Sequence, residues 1–279
     1  MPPMRRALLV ALLAIVPVGT IAPPMTAAAR TPALPTCAAI ARLGVAKVGG
    51  TWTRSGSIVT ERSGDSQWAA TLLDTLRRLP ASYVPSDLVA LSATAVPTAR
   101  GPQRLRAAAA TALARLFAAA AADGVKLAIH SSYRSYAYQR TVFAGWVAKD
   151  GLAAALRYSA LAGHSEHQLG TTLDIARLRG GAPWDDRGYA PVERWLGANA
   201  YRFGFVRSYP AGAGAVAQSC YGSEPWHWRY VGPSSAYEIA CTGLVPRVYL
   251  WRVQQGIALA KGPSCGGLVV PDGYAGPLR

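Results

Sequence analysis

Two short segments some fifty residues apart, Ser165-Glu166-His167-Gln168-Leu169-Gly170-Thr171-Thr172-Leu173-Asp174 and Glu224-Pro225-Trp226-His227, constrain this chain more than any other feature. A catalytic zinc site usually takes three protein ligands from His, Asp, Glu and Cys and leaves a fourth position open. His167, Asp174 and His227 meet that requirement, and Glu224 adds the carboxylate that a hydrolytic site needs as proton acceptor. The chain has only four histidines, His130, His164, His167 and His227, so two of them falling inside such a pattern is informative. Any fold adopted by this sequence has to bring the two segments to one point.

The spacing also restricts the backbone. Residues seven apart on a straight helix are separated by roughly 10 Å along its axis, an awkward reach for two ligands that each bond one ion at about 2 Å. His167 and Asp174 are therefore expected on different elements, with Gly170 in a tight turn and Thr171, Thr172, Leu173 and Ile175 favouring a strand that delivers Asp174. Glu224 and His227 would face opposite ways in a regular strand, but Pro225 interrupts regular pairing and lets the chain turn between them. Beyond it, Trp226 and Trp228 share one face and His227 and Arg229 the other, which predicts a half-buried strand packed on its tryptophan side.

Further motifs stand in order around these segments: Ser131-Ser132-Tyr133-Arg134-Ser135 with Gln139, then Arg157-Tyr158-Ser159, then Gly163-His164 leading into the Ser165 block, then Trp228-Arg229-Tyr230-Val231-Gly232 after His227. With them the chain resembles the VanY-type zinc D-alanyl-D-alanine carboxypeptidases from about Pro85 to about Gly243. The resemblance implies an α+β fold of hedgehog and D,D-peptidase type, a small and mainly antiparallel sheet carrying the zinc site with helices packed on one side. It implies one Zn2+ per chain, held by His167, Asp174 and His227, with Glu224 as catalytic base. Tyr133, Gln139 and Ser165 would line the peptide site. Ser132 stands where the family usually has Gly, and Thr172 where it usually has a small residue. Two roles remain open for Arg134. A guanidinium can stabilise the oxyanion of a tetrahedral intermediate, worth roughly 3 to 4 kcal/mol per donor, or grip a substrate's terminal carboxylate in a bidentate pair.

Other residues have plainer readings. His130, ending the strand-like Val125-Lys126-Leu127-Ala128-Ile129, is expected to be packed and not a ligand. His164 is balanced between loop residue and pocket lining. Glu166 is read either as a partner behind a ligand or as solvated, with the second preferred, and Asp185 and Asp186 are expected to cap or solvate a helix start. Of Trp184, Trp195, Trp226 and Trp228, only Trp226 is expected at the substrate. Helices are predicted over residues 74–79, 103–122, 138–147, 152–158 and 191–200, the second being the strongest because its leucines recur at helical spacing.

Arg5 and Arg6, the apolar run Ala7 to Val16 and the small residues Ala27-Ala28-Ala29 predict a secretory signal over residues 1–29. That run is shorter than the ~20 residues that span a bilayer, so no stable membrane anchor is expected after cleavage. Residues 30–84 and 244–279 are taken as extensions of a catalytic domain over 85–243. Four cysteines and no CxxC spacing predict disulfides in an exported chain, paired as Cys220 with Cys241 and Cys37 with Cys265. The formal charge of +15 becomes +13 without Arg5 and Arg6. It favours polyanions, here anionic wall polymers, while the lack of any nucleic-acid reading motif argues against nucleic acid. The expected function is a secreted, extracytoplasmic zinc D,D-carboxypeptidase that trims terminal D-alanine from peptidoglycan stem peptides. An L,D-carboxypeptidase or peptidoglycan endopeptidase would use the same metal site, and a non-catalytic wall-binding module is the alternative of another class.

Overall fold

The computed structural model describes residues 33–60, 67–92, 96–259 and 265–276, so the expected signal segment lies outside the described residues. Helix α1 (Cys37–Ala41) starts at Thr36, whose hydroxyl accepts from Ala39 N at 3.1 Å. Strands β1 (Val45–Val48) and β2 (Thr51–Arg54) form an antiparallel hairpin through Gly49-Gly50. Both glycines have positive φ, 53° and 77°, as a two-residue hairpin turn of this kind requires. Strand β3 (Ile58–Val59) lies parallel to β4 (Arg77–Arg78). The helix expected over residues 74–79 does not form. Asp74 Oδ1 accepts from Leu76 N at 2.8 Å and Arg77 N at 2.7 Å, a local turn that competes with helical bonding. Strand β5 (Leu88–Ala90) pairs with β6 (Arg104–Arg106), so helix α2 (Ala107–Ala122) begins four residues later than its sequence predicts.

The chain continues through β7 (Leu127–Ser131), α3 (Tyr136–Asp150), α4 (Leu152–Tyr158), β8 (Thr172–Arg177), α5 (Ala190–Asn199), β9 (Phe205–Arg207), α6 (Ala213–Ser219), β10 (His227–Tyr230), α7 (Pro233–Thr242) and α8 (Pro246–Gln254). Strands β7, β8, β10 and β9 form a sheet in that order, with every neighbouring pair antiparallel. Alternation along the strands separates its faces. Leu127, Ile129, Leu173, Ile175, Trp228 and Tyr230 meet Leu113, Leu116 and Phe117 of α2 and Val192 and Leu196 of α5 in one core. Each such apolar side chain stabilises by about 1.5 to 3 kcal/mol when fully buried, which fixes this face inward and turns Asp174, His227 and Arg229 to the other. The result is the expected α+β arrangement, a small antiparallel sheet with helices on one face.

A second core joins α7 and α8 to Leu72, Tyr201, Val206 and Val231. Arg247 of α8 donates to Asp74 Oδ2 at 2.8 Å, to Gln218 O at 3.0 Å and to Pro35 O at 2.9 Å. Residues before and after the predicted catalytic segment thus meet one another. The disulfides are Cys37–Cys220 and Cys241–Cys265, not the expected pairs. Cys37 begins α1 and Cys220 ends α6, while the chain after α8 returns to α7, where Tyr237 Oη donates to Cys265 O at 3.5 Å. No helix among the described residues is long and apolar enough to cross a membrane.

Candidate metal centre and active site

Register brings two of the predicted ligands together. Asp174 on β8 and His227 on β10 are direct cross-strand partners, so their side chains rise from one face at neighbouring positions. His167 arrives from the 3-10 turn Glu166–Leu169, which Gly170 closes at φ 73°. A Cβ on Gly170 would lie 2.9 Å from Leu88 Cδ2 and 3.1 Å from Pro85 Cγ, so both conformation and space require glycine here. The candidate ligand atoms of His167, Asp174 and His227 lie within 4.8 Å of one another, and all three residues are buried.

Hydrogen bonds orient both imidazoles. His167 Nδ1 donates to Ser132 O at 2.7 Å, which leaves Nε2 as a lone pair 3.4 Å from Asp174 Oδ1. Those two buried atoms have no hydrogen-bond partner. Two acceptors facing each other without a donor suit a shared cation. His227 is held the other way round, with Nε2 donating to Glu166 Oε2 at 3.1 Å and Nδ1 3.5 Å from Asp174 Oδ1. Glu224 Oε2 lies 3.2 Å from the same Nδ1.

Burial pushes the His167 pKa down to about 4, helped by the Arg134 charge, so the ring is neutral at pH 7 as a metal ligand must be. Burial also opposes a charge on His227, but Asp174, Glu166 and Glu224 outweigh it and raise its pKa well above the ordinary value. The same negative field favours any cation at that point. Burial raises the Glu224 pKa, only partly offset by His227, which moves this carboxyl toward the range of a general base at neutral pH.

The chain matches the family model described as VanY, D-alanyl-D-alanine carboxypeptidase, over residues 102–233. It is 32% identical to a D-alanyl-D-alanine carboxypeptidase of Enterococcus faecalis over 199 residues, 68% of each chain. The chain belongs to the VanY family. Bacillus subtilis YodJ is 35% identical over 179 residues, covering 63% of this chain and 65% of that relative, slightly under two thirds of its length. Among solved structures, the LdcB LD-carboxypeptidase superposes with a TM-score of 0.60 at 30% identity, covering 74% of this chain and 92% of its own. A VanY D,D-pentapeptidase from a VanB-type resistance cassette, solved with Zn(II), gives 0.53 at 33% identity and covers 66% of this chain and 99% of its own.

Around this VanY-type centre lies a cleft of about 690 Å³ that includes Tyr133, Arg134, Ser165, Glu224, Trp226 and His227. Arg134 donates through Nε to Gln139 Oε1 and through NH1 to Ser131 Oγ, both at 2.9 Å, and NH1 lies 3.4 Å from Asp174 Oδ2. Gln139 is buried behind it and donates Nε2 to Ala160 O at 2.7 Å, so both ends of its amide are engaged and it positions Arg134. The Ser132 hydroxyl donates to Gln103 Oε1 at 2.7 Å and accepts from Arg104 N at 3.0 Å, which shows how serine is accommodated in place of the usual glycine.

Four residues differ from or extend their sequence readings. Glu166 is buried, not solvated: Oε2 accepts from Ser208 Oγ at 2.5 Å as well as from His227, and Oε1 accepts from Arg229 NH1 at 2.8 Å. Burial opposes its ionisation, yet Arg229 and these hydrogen bonds bring its pKa to about 2. Asp186 pairs with Arg177 through two bonds of 3.0 and 3.1 Å and accepts from Gly188 N at 2.8 Å. Trp184 is 41% exposed and lines the cleft, so it is not a core residue. His164 is buried outside the cleft, with Nδ1 donating to Asp74 O at 2.9 Å and Nε2 accepting from Ser57 Oγ at 3.1 Å.

Proposed function

We propose that this protein is an exported zinc D,D-carboxypeptidase that removes the terminal D-alanine of peptidoglycan stem peptides, with one Zn2+ on His167 Nε2, Asp174 and His227 Nδ1. The observation that carries this reading is the pair of buried, unpartnered acceptors on His167 and Asp174 beside His227 and Glu224 at the base of an open cleft. When bound, zinc supplies Lewis-acid polarisation of the scissile carbonyl and lowers the pKa of water at the site to about 7. Glu224 takes the proton of the attacking water and passes it to the leaving amine. Arg134, braced by Gln139 and Ser131, presents its guanidinium at the cleft to the substrate carboxylate or the developing oxyanion. Tyr133, Ser165 and Trp226 contact the peptide. Two disulfides are in keeping with an oxidising, extracytoplasmic location, and a VanY structure that holds D-alanine-D-alanine supports the substrate class. The likeness to LdcB favours an L,D-carboxypeptidase as the second reading.

Incubation with defined tripeptide, tetrapeptide and pentapeptide stems, with chelator and with zinc restored, tests both. Chelator-sensitive release of D-alanine from the pentapeptide supports D,D activity, and release from the tetrapeptide alone transfers the enzyme to the L,D class. Glu224→Gln should retain zinc and lose turnover by several orders of magnitude; an active variant would remove Glu224 from the role of base.

A further inference from the structure

Away from the metal ligands the cleft continues along a wall of touching rings. Trp226 meets Trp184 at 5.7 Å between ring centres, and Trp184 meets Trp146 at 6.4 Å. Lys149 Nζ lies 4.9 Å from the centre of the Trp146 ring. His130 packs edge-on against Trp184 at 4.7 Å. It follows the core-facing Ile129 in β7, so strand alternation turns it to the cleft face, and the register breaks beside it, with Ile129 paired to Ile175 and Ser131 to Asp174. Burial and the charge of Arg100 lower the His130 pKa, so its ring is neutral at pH 7 and offers one N–H donor.

Charge along this wall has one sign. Glu166, Asp174 and Glu224 are the acids lining the cleft among the described residues, and all three sit at the metal centre. Arg100 and Lys149 also line the cleft, and neither forms an ion pair among the described residues. The cleft reaches from Arg134 past Trp226 to Trp184 and Trp146, so this wall is open to residues upstream of a C-terminal carboxylate gripped by Arg134. We propose that Arg100, His130 and Lys149, set along the Trp184–Trp146 wall, form an outer subsite for a carboxylate carried on a side chain upstream of the scissile bond. The enzyme then favours stems whose diamino residue bears a free side-chain carboxylate over stems in which that group is amidated or absent. This specificity rests on the carboxypeptidase reading above and adds the substrate class.

Three synthetic stems that differ only in that group, as free acid, as amide or as hydrogen, test it with the zinc-loaded enzyme. The free acid should be preferred about tenfold in kcat/KM, mainly through KM, as expected for a charge-assisted contact. Arg100→Gln and Lys149→Gln should each shrink the ratio, and the double variant should bring it close to one. Equal kcat/KM for the three peptides, or a ratio unchanged in the double variant, would overturn the subsite while leaving the carboxypeptidase intact. Should wild type turn over none of them, the carboxypeptidase reading fails, and calorimetric binding of the same peptides decides the subsite alone. Tighter binding of the free acid supports it, and equal binding overturns it.

Discussion

His227 is held at both ring nitrogens, and its outer partner, Glu166, is the residue for which the sequence favoured the wrong one of two readings. Glu166 lies next to a predicted ligand, but its partners Ser208, His227 and Arg229 are 42, 61 and 63 residues away in the chain. No local pattern reports such a convergence, so a glutamate before a candidate ligand histidine reads more readily as a solvated side chain than as a partner. The candidate ligands, which the structure brings together, stood out because scarce histidines, an aspartate and a glutamate at fixed spacing carry their chemistry with them. In the structure Glu166 engages Nε2 of His227 and leaves Nδ1 as the ring nitrogen that faces Asp174. Partners of this kind typically account for 10- to 100-fold in metal affinity. Glu166→Gln should therefore weaken zinc binding by about that factor in competition with a chelator. An unchanged affinity in a folded variant would mean that Glu166 only neutralises the buried Arg229.

Strand parity explains how much of the architecture could be read in advance. Leu173 and Ile175 alternate with Asp174, and Trp228 alternates with His227 and Arg229, so one face of β8 and β10 had to be apolar and the other chemical. Helix α2 was legible from its leucines, except that its predicted first residues belong to β6. Residues 74–79 have helix-forming composition, yet the Asp74 carboxylate captures two backbone N–H groups and Arg247, a partner 173 residues away. The side of β7 that His130 takes follows from the same parity, next to the core-facing Ile129, but its contact with the distant Trp184 leaves no mark in a strand-like run. Cysteine pairing was equally hidden, because it depends on α1 reaching the end of α6. Replacing Cys37 and Cys220 by serine should lower stability by about 2 to 5 kcal/mol, seen as a lower Tm. Zinc affinity should be retained, since the Glu224 segment is independently fixed by Glu224 N donating to Tyr209 O and Gly222 N donating to Arg157 O. Loss of zinc binding at temperatures where the variant is folded would show that the Cys37–Cys220 bridge shapes the site itself.

Across the whole molecule, Asp74 and His164 join distant parts of the chain and couple them to pH. Asp74 is paired with Arg77 and Arg247, its backbone carbonyl accepts from His164, and the Cys241–Cys265 bridge ties the returning chain to α7. Burial pushes the His164 pKa from 6.5 down to about 4. As pH falls through this window the unfolded chain takes a proton that the folded chain resists, so stability falls, by about 3 kcal/mol in all from this one group. Burial works against ionisation of Asp74, but Arg247, the backbone N–H of Arg77 and the Arg77 charge hold its pKa below the ordinary 3.8. Its contribution is intact above that value and is lost only at more acidic pH. Loss of carboxylate charge in a chain with 29 Lys and Arg against 14 Asp and Glu adds self-repulsion in the same direction. The buried His167 follows the same trend as His164, so the share of His164 is read by comparing wild type with His164→Gln, both metal-free, in denaturant titrations at pH 7.5, 5.5 and 4. The variant should start less stable at pH 7.5, because the Asp74 carbonyl loses its imidazole donor, and should lose less stability on acidification. Equal losses in both proteins would mean that His164 takes up its proton in the folded state and that the acid sensitivity of the fold lies in the metal-ligand cluster.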